Sequence, residues 1–238
     1  MTITKRLSAI ALTLIMLVSL IPMTVFAAGK SGWEEIDGEW YYYQDDQMLK
    51  STWLNYKSKW YYFDQGGMMM ADTFFKDIDE KVYVFDKSGA MVSKKGWYMI
   101  KMYYGEDTSF NFWFYIQSGG VAAKGWKKIS GKWYFFNEYA IMMSGPVYDD
   151  GKYYFLNKGG DLTTKTGWVS LKSGSNTYWF YVKKGGICTT GWKKLSGKWY
   201  YFGYDGTMYA NSSLSIRDSE TGEYTTYLFN KKGVCINH

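Results

Sequence analysis

The chain has 238 residues, a net charge of +6 and an aromatic content of 21 %, with 26 glycines, 2 prolines and 1 histidine. So mild a positive charge does not describe a nucleic-acid binder, and so aromatic a chain does not describe a disordered one. With His238 the one histidine, a Ser-His-Asp or Cys-His constellation and a histidine-based metal site are excluded.

The first segment carries Lys5 and Arg6, then an apolar run over 7–20, Pro22, and Val25-Phe26-Ala27. That order is the order of a secretory signal, with small residues at the cleavage positions, and it predicts a signal peptide over 1–27 cut near Ala27. Cleavage takes two positive charges from the total of +6 and leaves no membrane attachment. An uncleaved anchor is the alternative, because the run approaches the roughly 20 residues that span a bilayer. Few residues separate Ala27 from the first tryptophan, Trp33, so no enzyme domain is expected between them.

From Trp33 on the sequence repeats. The clearest copies read GWEEIDGEWYYY from Gly32, GWKKISGKWYFF from Gly125 and GWKKLSGKWYYF from Gly191. Each has a Trp, a polar turn, a second Trp and an aromatic strand, and beyond it come a Gly and then an apolar residue, as in Gly67/Met69, Gly89/Met91, Gly160/Leu162, Gly186/Cys188 and Gly233/Cys235. Repeats start near 33, 53, 75, 97, 126, 146, 168, 192 and 213. A strand, a tight turn such as Ser130-Gly131 and a second strand make a β-hairpin. A lone hairpin is marginal in water, whereas a stack buries each aromatic face against its neighbour. The expected fold is therefore all-β, a β-solenoid of about nine stacked hairpins forming one array over 28–238, its last copy a cap.

The 12 Trp residues fall into pairs: 33/40, 53/60, 97/113, 126/133, 168/179 and 192/199. Repeats three, six and nine lack the pair, with Phe75/Val82 and Pro146/Tyr153 in two of them, so the array has a second period of three repeats. Long first turns over 99–112 and 169–178 keep that period. The acidic groups Glu34-Glu35, Asp45-Asp46, Asp77/Asp79/Glu80 and Asp149-Asp150, and the basic pairs Lys127-Lys128 and Lys193-Lys194, are read as polar turn positions,. No catalytic residue, metal or cofactor is expected. Cys188 and Cys235 stand where other copies carry Met, and are expected to be free, buried thiols.

The GW…GKWYYF…G-x-M pattern resembles the cell-wall-binding repeat of Gram-positive bacteria, of choline-binding and glucan-binding type. The resemblance covers the whole array. It implies sites between successive hairpins, built from two Trp of one repeat and an aromatic of the next. Taking the third ring two positions after the next repeat's second Trp, the principal sites are expected at Trp33, Trp40 and Tyr62, at Trp97, Trp113 and Phe135, and at Trp168, Trp179 and Tyr201. A secondary site is expected at Trp126, Trp133 and Phe155. The implied function is noncatalytic attachment of a secreted protein to a wall polymer, such as choline-decorated teichoic acid. Two alternatives stay open: binding of glucan or host-surface oligosaccharide, and a scaffold whose long turns hold a protein partner.

Overall fold

The structure is a computed structural model that describes residues 29–77, 79–105, 108–217 and 219–238. The expected signal peptide lies outside the described residues. Among those residues the chain forms nine antiparallel hairpin sheets and no helix. The strand pairs are Gly32–Ile36 with Glu39–Gln44, Thr52–Tyr56 with Lys59–Phe63, Thr73–Lys76 with Val82–Phe85, and Gly96–Tyr104 with Thr108–Ile116. They continue with Gly125–Ile129 and Lys132–Phe136, Gly145–Asp149 and Lys152–Leu156, Gly167–Ser173 and Asn176–Val182, Gly191–Leu195 and Lys198–Phe202, and Ser212–Arg217 and Tyr224–Phe229. A short strand, Gln47–Met48, extends the first sheet. We number these hairpins one to nine.

Successive hairpins are joined by one repeated bond. The backbone N–H at the apolar position of each Gly-x-apolar element donates to the carbonyl at the second-Trp position of the preceding hairpin. The examples are Met69 to Trp40 at 2.8 Å, Met91 to Trp60 at 2.7 Å, Met142 to Trp113 at 2.8 Å, Leu162 to Trp133 at 2.7 Å, Cys188 to Tyr153 at 2.8 Å and Cys235 to Trp199 at 2.8 Å. A buried backbone donor needs such a partner, so the element stitches neighbours together. In most copies its glycine is needed: Gly89 has φ +77°, and a Cβ there would fall on Met69 of the element before,.

Between hairpins the core is aromatic and aliphatic. Phe63, Phe85, Phe114, Phe136, Phe180 and Phe202 are fully buried. They stand one on each returning strand from hairpin two to hairpin eight except that of hairpin six, where Leu156 and Phe155 take the place.

Several local expectations are corrected. The stretches 99–104 and 108–112, and 169–173 and 176–178, are strand rather than turn: the hairpin ladder runs on to Tyr104 with Thr108 and to Ser173 with Asn176. The alternation of apolar and polar side chains in these stretches suits a longer strand. In hairpin three the residue at the first-Trp position is Phe74, which pairs with Val84, while Phe75 pairs with Tyr83 on the other face. Glu34, Glu35, Lys127, Lys128, Lys193 and Lys194 lie in strands. Other acidic groups do serve turns or local bonds, as where Asp77 accepts from the Lys81 N–H at 2.7 Å and Asp46 from that of Lys30 at 2.7 Å. Cys188 and Cys235 are free and buried.

Candidate ligand-binding site

Strand alternation gives every hairpin two faces. On the forward face the first Trp pairs directly with the residue two after the second Trp, as in Trp33 with Tyr42 and Trp53 with Tyr62. The residues one and three after the second Trp point to the other face and meet the preceding hairpin. Trp33 therefore has Tyr61 at 4.9 Å and Phe63 at 5.8 Å.

The same cage recurs along the chain. Trp33 and Trp40 stand edge to face at 6.4 Å with Tyr61 beside them, and Trp53 and Trp60 stand at 6.3 Å with Tyr83 at 4.9 Å from Trp53. Trp97 and Trp113 stand at 6.5 Å with Tyr134 at 4.9 Å from Trp97, and Trp168 and Trp179 at 6.4 Å with Tyr200 at 5.1 Å from Trp168. The first two cages open as cavities that also include Met69 and Met91, the apolar residues of the stitching element. No lysine or carboxylate lines either of them. The second Trp of each pair presents part of its ring to solvent, 41 % of Trp40 and 44 % of Trp60.

This geometry corrects the third ring. Tyr62, Phe135 and Tyr201 sit across their own hairpins from Trp53, Trp126 and Trp192, at 5.1 Å in each case. A residue two after a Trp shares that Trp's face, so these rings look forward and do not reach back to the preceding pair. Phe155 likewise pairs with Pro146 and packs on Phe180 at 5.2 Å. The tyrosines at the adjacent position, Tyr61, Tyr134, Tyr200, Tyr83, Tyr154 and Tyr227, were legible from the same alternation. Burial and nearby carboxylates push the Tyr83 hydroxyl above the usual tyrosine range, so this cage ring stays uncharged.

The three-repeat period also reads differently. The pair Trp53/Trp60 faces a Trp-poor hairpin yet has a complete cage, because Tyr83 occupies the required position. Two Trp-bearing hairpins do depart from the pattern. Trp126 reaches Tyr154 at 5.1 Å but donates its Nε1 to Asp149 at 3.0 Å, and it makes no ring contact with Trp133 among the described residues. The pair Trp192/Trp199, with Tyr227 at 4.7 Å from Trp192, is filled: the His238 imidazole stacks on Trp199 at 4.3 Å and 17° and stands 4.5 Å from Trp192.

At hairpins three and six the inner part of the forward face is covered by its long successor. Val82 and Val84 join Ile100, Phe114 and Ile116 in one buried cluster, and Phe155 joins Phe180 and Val182 in another. The long strands thus supply apolar surface where the Trp pair is missing. No group of three or more metal-ligating side chains occurs among the described residues.

The choline-binding repeat matches residues 30–74, 49–97 and 123–168, and the putative cell wall binding repeat matches 190–208, together more than half of the chain. This chain belongs to the choline-binding, cell-wall-binding repeat family. Among curated relatives, glucosyltransferase-S of Streptococcus mutans is 31 % identical over 182 residues, 75 % of this chain and 12 % of that protein. Glucosyltransferase-S of Streptococcus downei is 24 % identical over 180 residues, 75 % of this chain and 11 % of that protein. The chain thus spans only about an eighth of the relatives it matches. Among solved structures, CbpJ from Streptococcus pneumoniae is 20 % identical with TM-score 0.36, covering 86 % of this chain and 94 % of that one. Choline binding protein F from Streptococcus pneumoniae, in the presence of a peptidoglycan analogue, is 28 % identical with TM-score 0.32, covering 87 % and 58 %. As a member of this repeat family the chain is a noncovalent cell-wall-binding module.

Proposed function

We propose that the Trp–Trp–Tyr cages bind choline, or a similar quaternary ammonium, on a teichoic-acid-type wall polymer, and that the protein is exported through cleavage near Ala27, stays wall-associated and carries no catalysis of its own. The observation that carries this reading is the recurrence of one cage, two indoles at right angles and a tyrosine about 5 Å away, at four separate places. A quaternary ammonium over aromatic faces gains about 0.5–2 kcal/mol per ring. One cage then holds it with a dissociation constant on the order of millimolar, about −4 kcal/mol. Several cages on one chain facing a repetitive polymer raise retention by a factor of about 10²–10⁴ without any new contact. The lysine-free walls of the first two cages favour a cation over an anion.

The similarity of the repeats to proteins named glucosyltransferase-S supports a second reading, in which a glucan or host-surface oligosaccharide occupies the cages. Elution separates the two. The protein adsorbed on a diethylaminoethyl resin and on isolated choline-bearing walls should be released by free choline and not by isomalto-oligosaccharide. Release by the sugar alone would replace the first reading with the second.

A further inference from the structure

Hairpin six departs from every Trp-bearing copy, and what it carries instead is a cavity of 690 Å³. This volume lies in the range of small-molecule sites, about 300–1,000 Å³. Its forward face presents Tyr148 and Tyr153, whose rings stand 5.1 Å apart at 54°. Tyr204, from the turn after hairpin eight, closes on Tyr153 at 6.4 Å and 66°. In the cage of hairpin one the equivalent turn, after hairpin three, contributes only Ser88. At hairpin six the corresponding turn contributes an aromatic ring, Tyr204, instead.

The rim differs in kind from the Trp cages. Lys152, Lys183 and Thr190 line it beside the tyrosines. Two ammonium groups oppose the entry of a quaternary ammonium. No arginine is among its lining residues to grip an isolated anion,. Exposed aromatic faces with hydroxyl and ammonium donors around them match a pyranose: its C–H face stacks on a ring, and its hydroxyls accept from the rim. Tyr148 and Tyr204 are 61 % and 84 % exposed, so their faces are available. On the far side of Tyr204 a second cavity of 520 Å³ begins, lined by Asn176, Thr177, Tyr178 and Trp179 among others. Tyr204 is a wall common to both, so an oligosaccharide laid across it would meet ammonium and hydroxyl groups on one side and amide and hydroxyl groups on the other.

We propose that Tyr148, Tyr153 and Tyr204 form a saccharide-binding site, distinct from the Trp cages and closed to choline, that takes an uncharged pyranose chain of two or three units. The inference stands apart from the assignment of the cages, since its stacking platform is the three tyrosines; only the adjoining cavity touches a cage ring, Trp179.

Saturation-transfer NMR on the full hairpin array tests it, with isomaltotriose and chitotriose as probes in turn. Transfer to at least one trisaccharide is expected, unchanged when choline is added to saturation. It should fall at least threefold in both Tyr204→Ala and Tyr148→Ala, while those variants bind choline as the parent does. Both side chains are exposed, so the variants should fold. Absence of transfer to either probe, or transfer abolished by choline, or transfer equal in the variants, would overturn the proposal. A choline titration on the same samples reports separately on the Trp cages.

Discussion

A one-residue difference along a strand separates a ring that faces the preceding Trp pair from one that packs on its own hairpin's Trp. Tyr61 looks back at Trp33, while Tyr62 looks forward, pairs with Trp53 and stacks on Phe75 at 4.1 Å. Tyr61→Ala should therefore weaken choline binding at the first cage by about 0.5–2 kcal/mol, the value of one ring, with little change in stability. Tyr62→Ala should instead cost about 2 kcal/mol of folding free energy through lost aromatic packing, leaving the first cage intact. Urea unfolding and choline titration of the two variants distinguish the roles. His238 is a second case: replacing it with Ala empties the cage of Trp192 and Trp199, and a choline-dependent response should appear at those two indoles. An unchanged response there would show that the imidazole does not block the site. A third case is Cys188, whose thiol burial pushes up to about 12. A raised pKa keeps the protonated, unreactive form across neutral and mildly alkaline pH. At pH 8 it should resist 5,5′-dithiobis(2-nitrobenzoate) in the folded protein and react in guanidinium; rapid labelling when folded would contradict the burial.

At the scale of the hairpin, the pairing of a large apolar residue with the next glycine has one natural exception that tests it. Met48 lies under Gly67, Met69 under Gly89, Met91 under Gly120 and Met142 under Gly160. At the junction of hairpins four and five the glycine position is Ala140, with φ +60°, and the preceding apolar residue is Ala122, in the same buried cluster. The smaller neighbour makes room for the added Cβ. Ala122→Met should overpack this junction and cost about 1–3 kcal/mol. Ala140→Gly in the same chain should restore most of it, as a coupling term in a double-mutant cycle by urea unfolding; additive losses would refute the pairing. The sequence made the hairpins themselves legible, because Trp spacing, turn residues and Gly-x-apolar elements agree in copy after copy. It made the long hairpins four and seven harder to see, since alternation continued through segments that looked like insertions. Phe74 and Phe75 are adjacent and both aromatic, so only the cross-strand register, Phe74 with Val84, tells which face each takes. The contacts of His238 and Tyr204 had no local signal, because they depend on where later chain returns to an earlier hairpin.

Over the whole molecule, stability and binding are both spread along a one-dimensional array. On the proposed reading, four cages of like geometry should make Trp60 as important to wall retention as Trp40, despite its Trp-poor neighbour. Trp60→Ala and Trp40→Ala should lower retention on walls by equal factors, and combining them should lower it further than either alone, as expected when avidity is lost stepwise. The most direct test of the cage assignment is the indole N–H spectrum of 15N-labelled protein during a choline titration. Trp33, Trp40, Trp53, Trp60, Trp97, Trp113, Trp168 and Trp179 should shift together in the millimolar range, while Trp192 and Trp199 stay still until His238 is replaced. Indoles of the four open cages that remain unmoved at saturating choline would contradict it.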